Sequence, residues 1–149
     1  RSPSRRTLLT DALIRSVQRQ AGRVVSHEVA PAQPETFVRA LAELLPTGTV
    51  QREDAAAWVA FGAAASTRPW LADPYWEALQ IMRTWVEGVL ADARKAGRMR
   101  ADLSPAEGAR LVTALVNGLA LDLLNAPPTE SDEVIGQLRS GLGLILRGL

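Results

Sequence analysis

The chain has 149 residues, 47% of them hydrophobic, with a net charge of +1 and no cysteine. One domain of this length buries about 68–70% of its unfolded surface, and the lack of Cys excludes disulfides, thiolate metal sites and Cys nucleophiles. The near-neutral charge predicts neither nucleic-acid nor membrane binding, and the longest apolar run, residues 55–65, falls well short of the ~20 residues of a spanning helix. With no signal peptide either, the chain reads as a soluble, cytoplasmic protein.

Charge is unevenly spread, since residues 1–23 hold six Arg against the single acid Asp11. Ser4 caps a first predicted helix, in which Leu8, Leu9, Leu13, Val17, Ala21, Val24 and Val25 recur at helical spacing before Pro31. A second predicted helix starts near Pro34, with Phe37, Val38, Leu41, Leu44 and Leu45 on its apolar side, and stops at Pro46; residues 47–50 read as a loop. An Ala-rich helix is expected over 51–66, followed by a turn at Arg68, Pro69 and Trp70. The longest helix is expected to open at Asp73 and Pro74 and to keep an apolar stripe through Trp76, Leu79, Met82, Trp85, Val86, Val89 and Leu90 until Gly97. Ser104, Pro105 and Glu107 form a capping-box start for the next helix. After Pro127 and Pro128, Ser131 or Asp132 opens a last helix that is expected to reach the C-terminus. No useful β alternation, internal repeat or low-complexity segment is present. The predicted architecture is all-α, with about six helices.

Four features bear on function. The last helix places Gly136, Ser140, Gly143 and Arg147 on one face with little side-chain bulk, opposite Ile135, Leu138, Leu142, Ile145 and Leu149. Each interior Gly costs a helix roughly 0.5–1 kcal/mol relative to Ala, so packing must compensate. The preceding helix offers a matching surface at Gly108, Leu111, Leu115, Gly118 and Asp122. The economical reading is a two-fold dimer in which two helices per chain build a four-helix interface; the alternative is a last helix packed within its own chain. Asp122 then reads as a charge at the rim of that contact.

The aromatic residues Phe37, Trp58, Phe61, Trp70, Tyr75, Trp76 and Trp85 form the second feature. Large rings among Ala and Gly fill space less evenly than Leu and Ile, which points to a cavity for an apolar, flat or amphipathic ligand. Any single Trp can equally be ordinary core. Asn117, on a strongly apolar helix, must either bond within the fold or face a ligand. The candidate ligand contacts are therefore Trp58, Phe61, Trp70, Trp76, Met82, Trp85 and Asn117. Third, His27 is the only His, with no second metal ligand at a recognisable spacing, and reads as a solvated helix end. No phosphate loop, nucleophile elbow or Glu-x-x-His pair is present, so neither metal, cofactor nor enzymatic activity is expected. Last, Ser4, Arg5 and Arg6 at a helix start read as either a solvated basic face or a phosphate contact.

The order and spacing of these pieces resemble the C-terminal portion of TetR-family transcriptional regulators, especially the branch with choline-repressor-like C-terminal domains. The resemblance is carried by SPSRRTLL (2–9), by the segment from WVAF (58–61) to Trp85, by GRMRADLSPAEGARLVTALVNGLALDLL (97–124) and by the closing amphipathic segment. It implies that residues 1–149 form a ligand-binding and dimerisation domain, and that the family's N-terminal helix-turn-helix, about forty-odd residues, does not lie within this chain. It also implies that Arg5 touches DNA phosphate, a contact that positions without specifying sequence. The expected function is that of a small-molecule-responsive sensor in a homodimeric repressor, reaching DNA only through the missing head. The rival expectation is a helical protein–protein interaction module without a cavity.

Overall fold

The computed structural model describes residues 3–127 and 133–149. Six α-helices occur among them, α1 (Arg5–Val25), α2 (Glu35–Ala42), α3 (Thr49–Ala65), α4 (Pro69–Lys95), α5 (Pro105–Asn125) and α6 (Val134–Leu142). No strand is present among the described residues, only an isolated antiparallel bridge between Met99 and Leu146.

Local chemistry explains three of the helix ends. Ser4 Oγ accepts from Thr7 N at the start of α1, and Ser104 Oγ accepts from Glu107 N at 3.1 Å at the start of α5, where the Glu107 carboxylate pairs back with the Ser104 hydroxyl. These are the caps the sequence signals. Two residues past Lys95, helix α4 is terminated by Gly97, whose φ of 73° is open to glycine without strain. Two bonds close that end, Gly97 N to Arg94 O and Arg98 N to Ala93 O, so the last carbonyls are satisfied by a Schellman arrangement.

Four boundaries differ from expectation. Helix α2 ends at Ala42 rather than at Pro46, so Leu44 and Leu45 are buried beyond the helix and not on its face. Helix α3 begins at Thr49, so residues 49 and 50 are helical rather than loop. Helix α4 begins at Pro69 rather than at Asp73 and Pro74, and Pro74 lies inside it. Both prolines suit a first helical position, but Arg68 before Pro69 is extended, and the fully buried Leu71 anchors the extra turn in the core. Burial of that side chain outweighs the backbone bond that Pro74 deletes. Helix α6 ends at Leu142 instead of running to the C-terminus. Gly141 and Gly143 weaken the helix there, and the backbone of Arg98 and Arg100 captures the tail through Arg100 N to Ile145 O (3.0 Å) and Arg147 N to Arg98 O (2.7 Å). Arg147 therefore does not share a helical face with Gly136 and Ser140. The expected opening of the last helix at Ser131 or Asp132, and Pro128 before it, lie outside the described residues.

Buried side chains form two cores. The larger gathers Phe37, Leu41, Val86, Leu90, Val112 and Leu138 from α2, α4, α5 and α6. The smaller is built on Trp58, Phe61, Leu71 and Leu79 from α3 and α4, with Leu13 and Val17 of α1 against it. Helix α4, with buried residues in both, ties them together.

Candidate ligand cavity and the helix that walls it

Between the two cores lies a cavity of about 160 Å³. Its lining draws Val24, Leu44, Met82 and Trp85 from the larger core and Val17, Trp58 and Ala78 from the smaller. Helix α1 supplies one wall with Val17, Gln20, Ala21, Val24 and Val25. Val25 and Ile81 also line it and are 61% and 66% exposed, which puts the mouth between the end of α1 and the middle of α4. An apolar cavity of this size holds about one benzene ring.

The aromatic residues serve distinct purposes. Trp58 faces the cavity and stacks on Tyr75 with ring centroids 4.6 Å apart, and Phe61 meets both rings edge-on. Its indole Nε1 donates to Asn117 Oδ1 at 3.0 Å, so of the two readings of Asn117 the fold supplies the internal partner. Trp85, across the cavity, packs against Phe37. Burial pushes the Tyr75 hydroxyl pKa up, against the lowering effect of Arg83.

Of the seven ligand contacts expected from the sequence, Trp58, Met82 and Trp85 line this cavity. Phe61 is buried behind Trp58 in the smaller core. Trp70 is half-buried under the Arg6 guanidinium, and Trp76 is exposed beneath that of Arg83, each 5.2 Å from the ring centroid. Arg5 is exposed on the first turn of α1. On the expected dimer surface, Leu111, Gly118, Asp122, Gly136, Ser140 and Gly143 are exposed, while Leu115 is half-buried against Gly141.

The same helix also carries a buried polar cluster that is not among the residues expected from the sequence. Asp54 of α3 is 3% exposed and accepts from Ser16 Oγ, Arg19 Nη2 and Arg23 Nη1 at 3.0, 3.0 and 2.9 Å. Its backbone oxygen accepts from Gln20 Nε2 at 3.1 Å. All four donors come from α1, at positions spaced to share one helical face. Burial alone would raise the Asp54 pKa, but the bonds from Arg19, Arg23 and Ser16 outweigh it and hold the carboxyl below its ordinary value. Glu43 of the α2 end extends the cluster, with Oε2 2.7 Å from His27 Nε2 and Oε1 accepting from Gln51 at 3.0 Å. Its pKa is also lowered, since those hydrogen bonds and the His27 and Arg23 charges exceed the opposing effect of burial. His27 is thus half-buried and paired rather than a solvated helix end. The available signal was the Ser16, Arg19, Gln20, Arg23 spacing on one helical face, which carries no mark of burial by itself because its partner lies on a different helix.

Residues 33–147 match the family model described as the BetI-type transcriptional repressor, C-terminal. The chain belongs to the TetR family of transcriptional regulators. No curated protein sequence matches it. Among solved structures, this BetI-type domain is similar to a transcriptional regulator from Saccharomonospora viridis in complex with choline, with 25% identity, a TM-score of 0.84, and coverage of 98% of this chain and 77% of that one. A transcriptional regulator from Rhodococcus sp. Rha1 is also 25% identical over 98% of this chain and 76% of its own, with a TM-score of 0.82. A TetR-family regulator from Rhodococcus sp., 20% identical over 96% of this chain and 76% of its own, shares the fold at a TM-score of 0.82. The all-α expectation and the resemblance drawn from the sequence both hold. The family is one of regulators and not of enzymes. Among the described residues no helix is long and apolar enough to cross a membrane, and no group of His, Cys, Asp and Glu could hold a metal ion.

Proposed function

We propose that residues 1–149 are the effector-sensing and dimerisation domain of a TetR-type repressor whose DNA-binding head precedes α1, and that the effector occupies the cavity between the two cores. The observation that carries this reading is that α1, the first helix in the described chain, is also a wall of the cavity; in this proposal it is the helix that follows the head. A molecule that fits better with α1 tilted favours that tilt, and with it a head spacing mismatched to successive major grooves. Coupling between two such sites is usually about 1–3 kcal/mol. Choline bound by the Saccharomonospora viridis regulator supports a small effector. Here the lining contains no carboxylate, which favours a neutral apolar or amphipathic molecule. Arg5 contacts phosphate, and the regulator works on DNA in the cytoplasm as a homodimer.

Titrating the chain with toluene during thermal unfolding tests the cavity. A ligand confined to the folded state raises the midpoint as its concentration passes the dissociation constant; an unchanged midpoint to the solubility limit overturns the cavity reading and favours an interaction module without a ligand. For the full-length regulator, an effector that binds tightly but leaves operator affinity unchanged removes the coupling.

A further inference from the structure

The cavity is almost wholly apolar. Gln20 and the Trp58 and Trp85 indoles carry the hydrogen-bonding side-chain atoms of its lining, and the Trp58 N–H is already given to Asn117. Gln20 is 6% exposed. Its Nε2 donates to the backbone oxygens of Asp54 (3.1 Å) and Ser16 (3.4 Å), with Ser16 Oγ at 3.5 Å. Backbone oxygens only accept, so these partners fix which end of the amide is nitrogen. The other end, Oε1, has no hydrogen-bond partner among the described residues. An amide oxygen has two lone pairs, and this one is not among the enclosed polar atoms without partners, so a water-sized molecule can reach it.

We propose that Gln20 is the specificity-determining residue of the cavity, its Oε1 accepting a hydrogen bond from a hydroxyl or N–H on an otherwise apolar, single-ring ligand. This rests on the reading of the cavity as the effector site and narrows the chemical class. Size sets one ring, the indoles and aliphatic side chains accept its faces, and Gln20 asks for one donor. Because the same amide holds Asp54 and Ser16, a ligand bonded there presses on the contact between α1 and α3.

Phenol, anisole and toluene distinguish the possibilities, since all three carry one ring of similar bulk and only phenol offers a donor. Calorimetry or quenching of tryptophan emission measures each affinity on the intact chain. An apolar site without an acceptor follows hydrophobicity and ranks toluene first and phenol last. A Gln20 acceptor brings phenol at least level with toluene and leaves anisole behind. In Gln20→Met, which keeps length and removes the acceptor, the ratio of phenol to toluene affinity falls about tenfold or more, the usual consequence of an unmatched buried hydroxyl. Toluene binding tightest in both proteins at one ratio overturns the inference and leaves the cavity reading intact. Failure of all three to bind removes the cavity reading and the inference with it. Should Gln20→Met not fold, the ranking in the parent chain decides, and phenol below both others overturns the proposal.

Discussion

Asp54 gathers four polar side chains of α1 onto α3. A buried carboxylate is tolerated only when its charge is matched, and here one hydroxyl and two guanidinium groups match it from a single helix. Replacing it by Asn keeps the shape and removes the charge. Asp54→Asn is expected to lower unfolding stability by roughly 2–3 kcal/mol in urea titration, at the low side of a broken buried pair because Arg19 keeps access to water. The pH dependence follows from the same contacts. The Asp54 and Glu43 carboxyls titrate lower in the folded chain than in the unfolded one, so their contribution is complete above the ordinary carboxylate range and is lost as pH falls through the folded values. The urea midpoint should therefore drop as pH is taken below about 4–5. In Asp54→Asn part of that slope should vanish; an unchanged slope would place the titration elsewhere. Asn117 offers a second test. Asn117→Ala leaves the Trp58 indole N–H unmatched in a nearly dry site, at a cost of roughly 1–3 kcal/mol. A double-mutant cycle with Trp58→Phe should return a coupling of about 1 kcal/mol between the two positions.

At the scale of the helices, glycine separates places where backbones must approach from places where nothing is near. A Cβ on Gly108 of α5 would sit 2.7 Å from Leu90 Cδ1 and 3.2 Å from Met99 Cε, both deep in the larger core. A Cβ on Gly88 of α4 would meet nothing within 4 Å. The same substitution should therefore have opposite signs. Gly108→Ala is expected to destabilise by about 1–3 kcal/mol through overpacking, and Gly88→Ala to stabilise by up to about 1 kcal/mol through helix propensity. Equal shifts in thermal midpoint would contradict the close packing of α4 on α5. Helices were legible in the sequence wherever the signal was local, as at Ser4, Ser104 and Gly97, whose partners lie within five residues. Signals failed where a distant partner decided. Pro69 and Pro74 look alike until Leu71 is seen to be buried, and the tail leaves the helix because Arg98 and Arg100 offer it backbone partners more than forty residues away. The candidate site divides in the same manner. Trp58, Met82 and Trp85 could be found from aromatic content and helical periodicity, but the α1 wall of Val17, Ala21 and Val24 read only as an ordinary apolar face, and Gln20 gave no sign of burial.

At the scale of the whole molecule, α5 is more apolar than one chain can use. One of its faces, through Val112, Val116, Leu119 and Leu123, is buried in the larger core. The other presents Leu111, Ala114, Gly118 and Leu121 to solvent, and Leu144 just beyond α6 is 73% exposed. A helix apolar on both sides calls for covering on both. Gly118 lies on that outer face with nothing within 4 Å of a Cβ placed there, and Gly136 and Ser140 on α6 add a shallow surface of little bulk. A second copy of the chain, meeting the first across a two-fold axis, would cover both surfaces with self-complementary patches. Gly118→Arg tests this without touching the core. In the lone chain the new side chain extends into water and replaces a weak helix former, so stability should change by no more than about 0.5–1 kcal/mol. Within a dimer it places two guanidinium groups near the axis, with like charge and without partners. Light scattering at micromolar concentration should give twice the 16.0 kDa chain mass for the parent and the single mass for the variant, at nearly equal thermal midpoints once the concentration dependence of the dimer is accounted for. A parent that scatters as one chain, or a variant that still scatters as two, would mean that this face has another occupant.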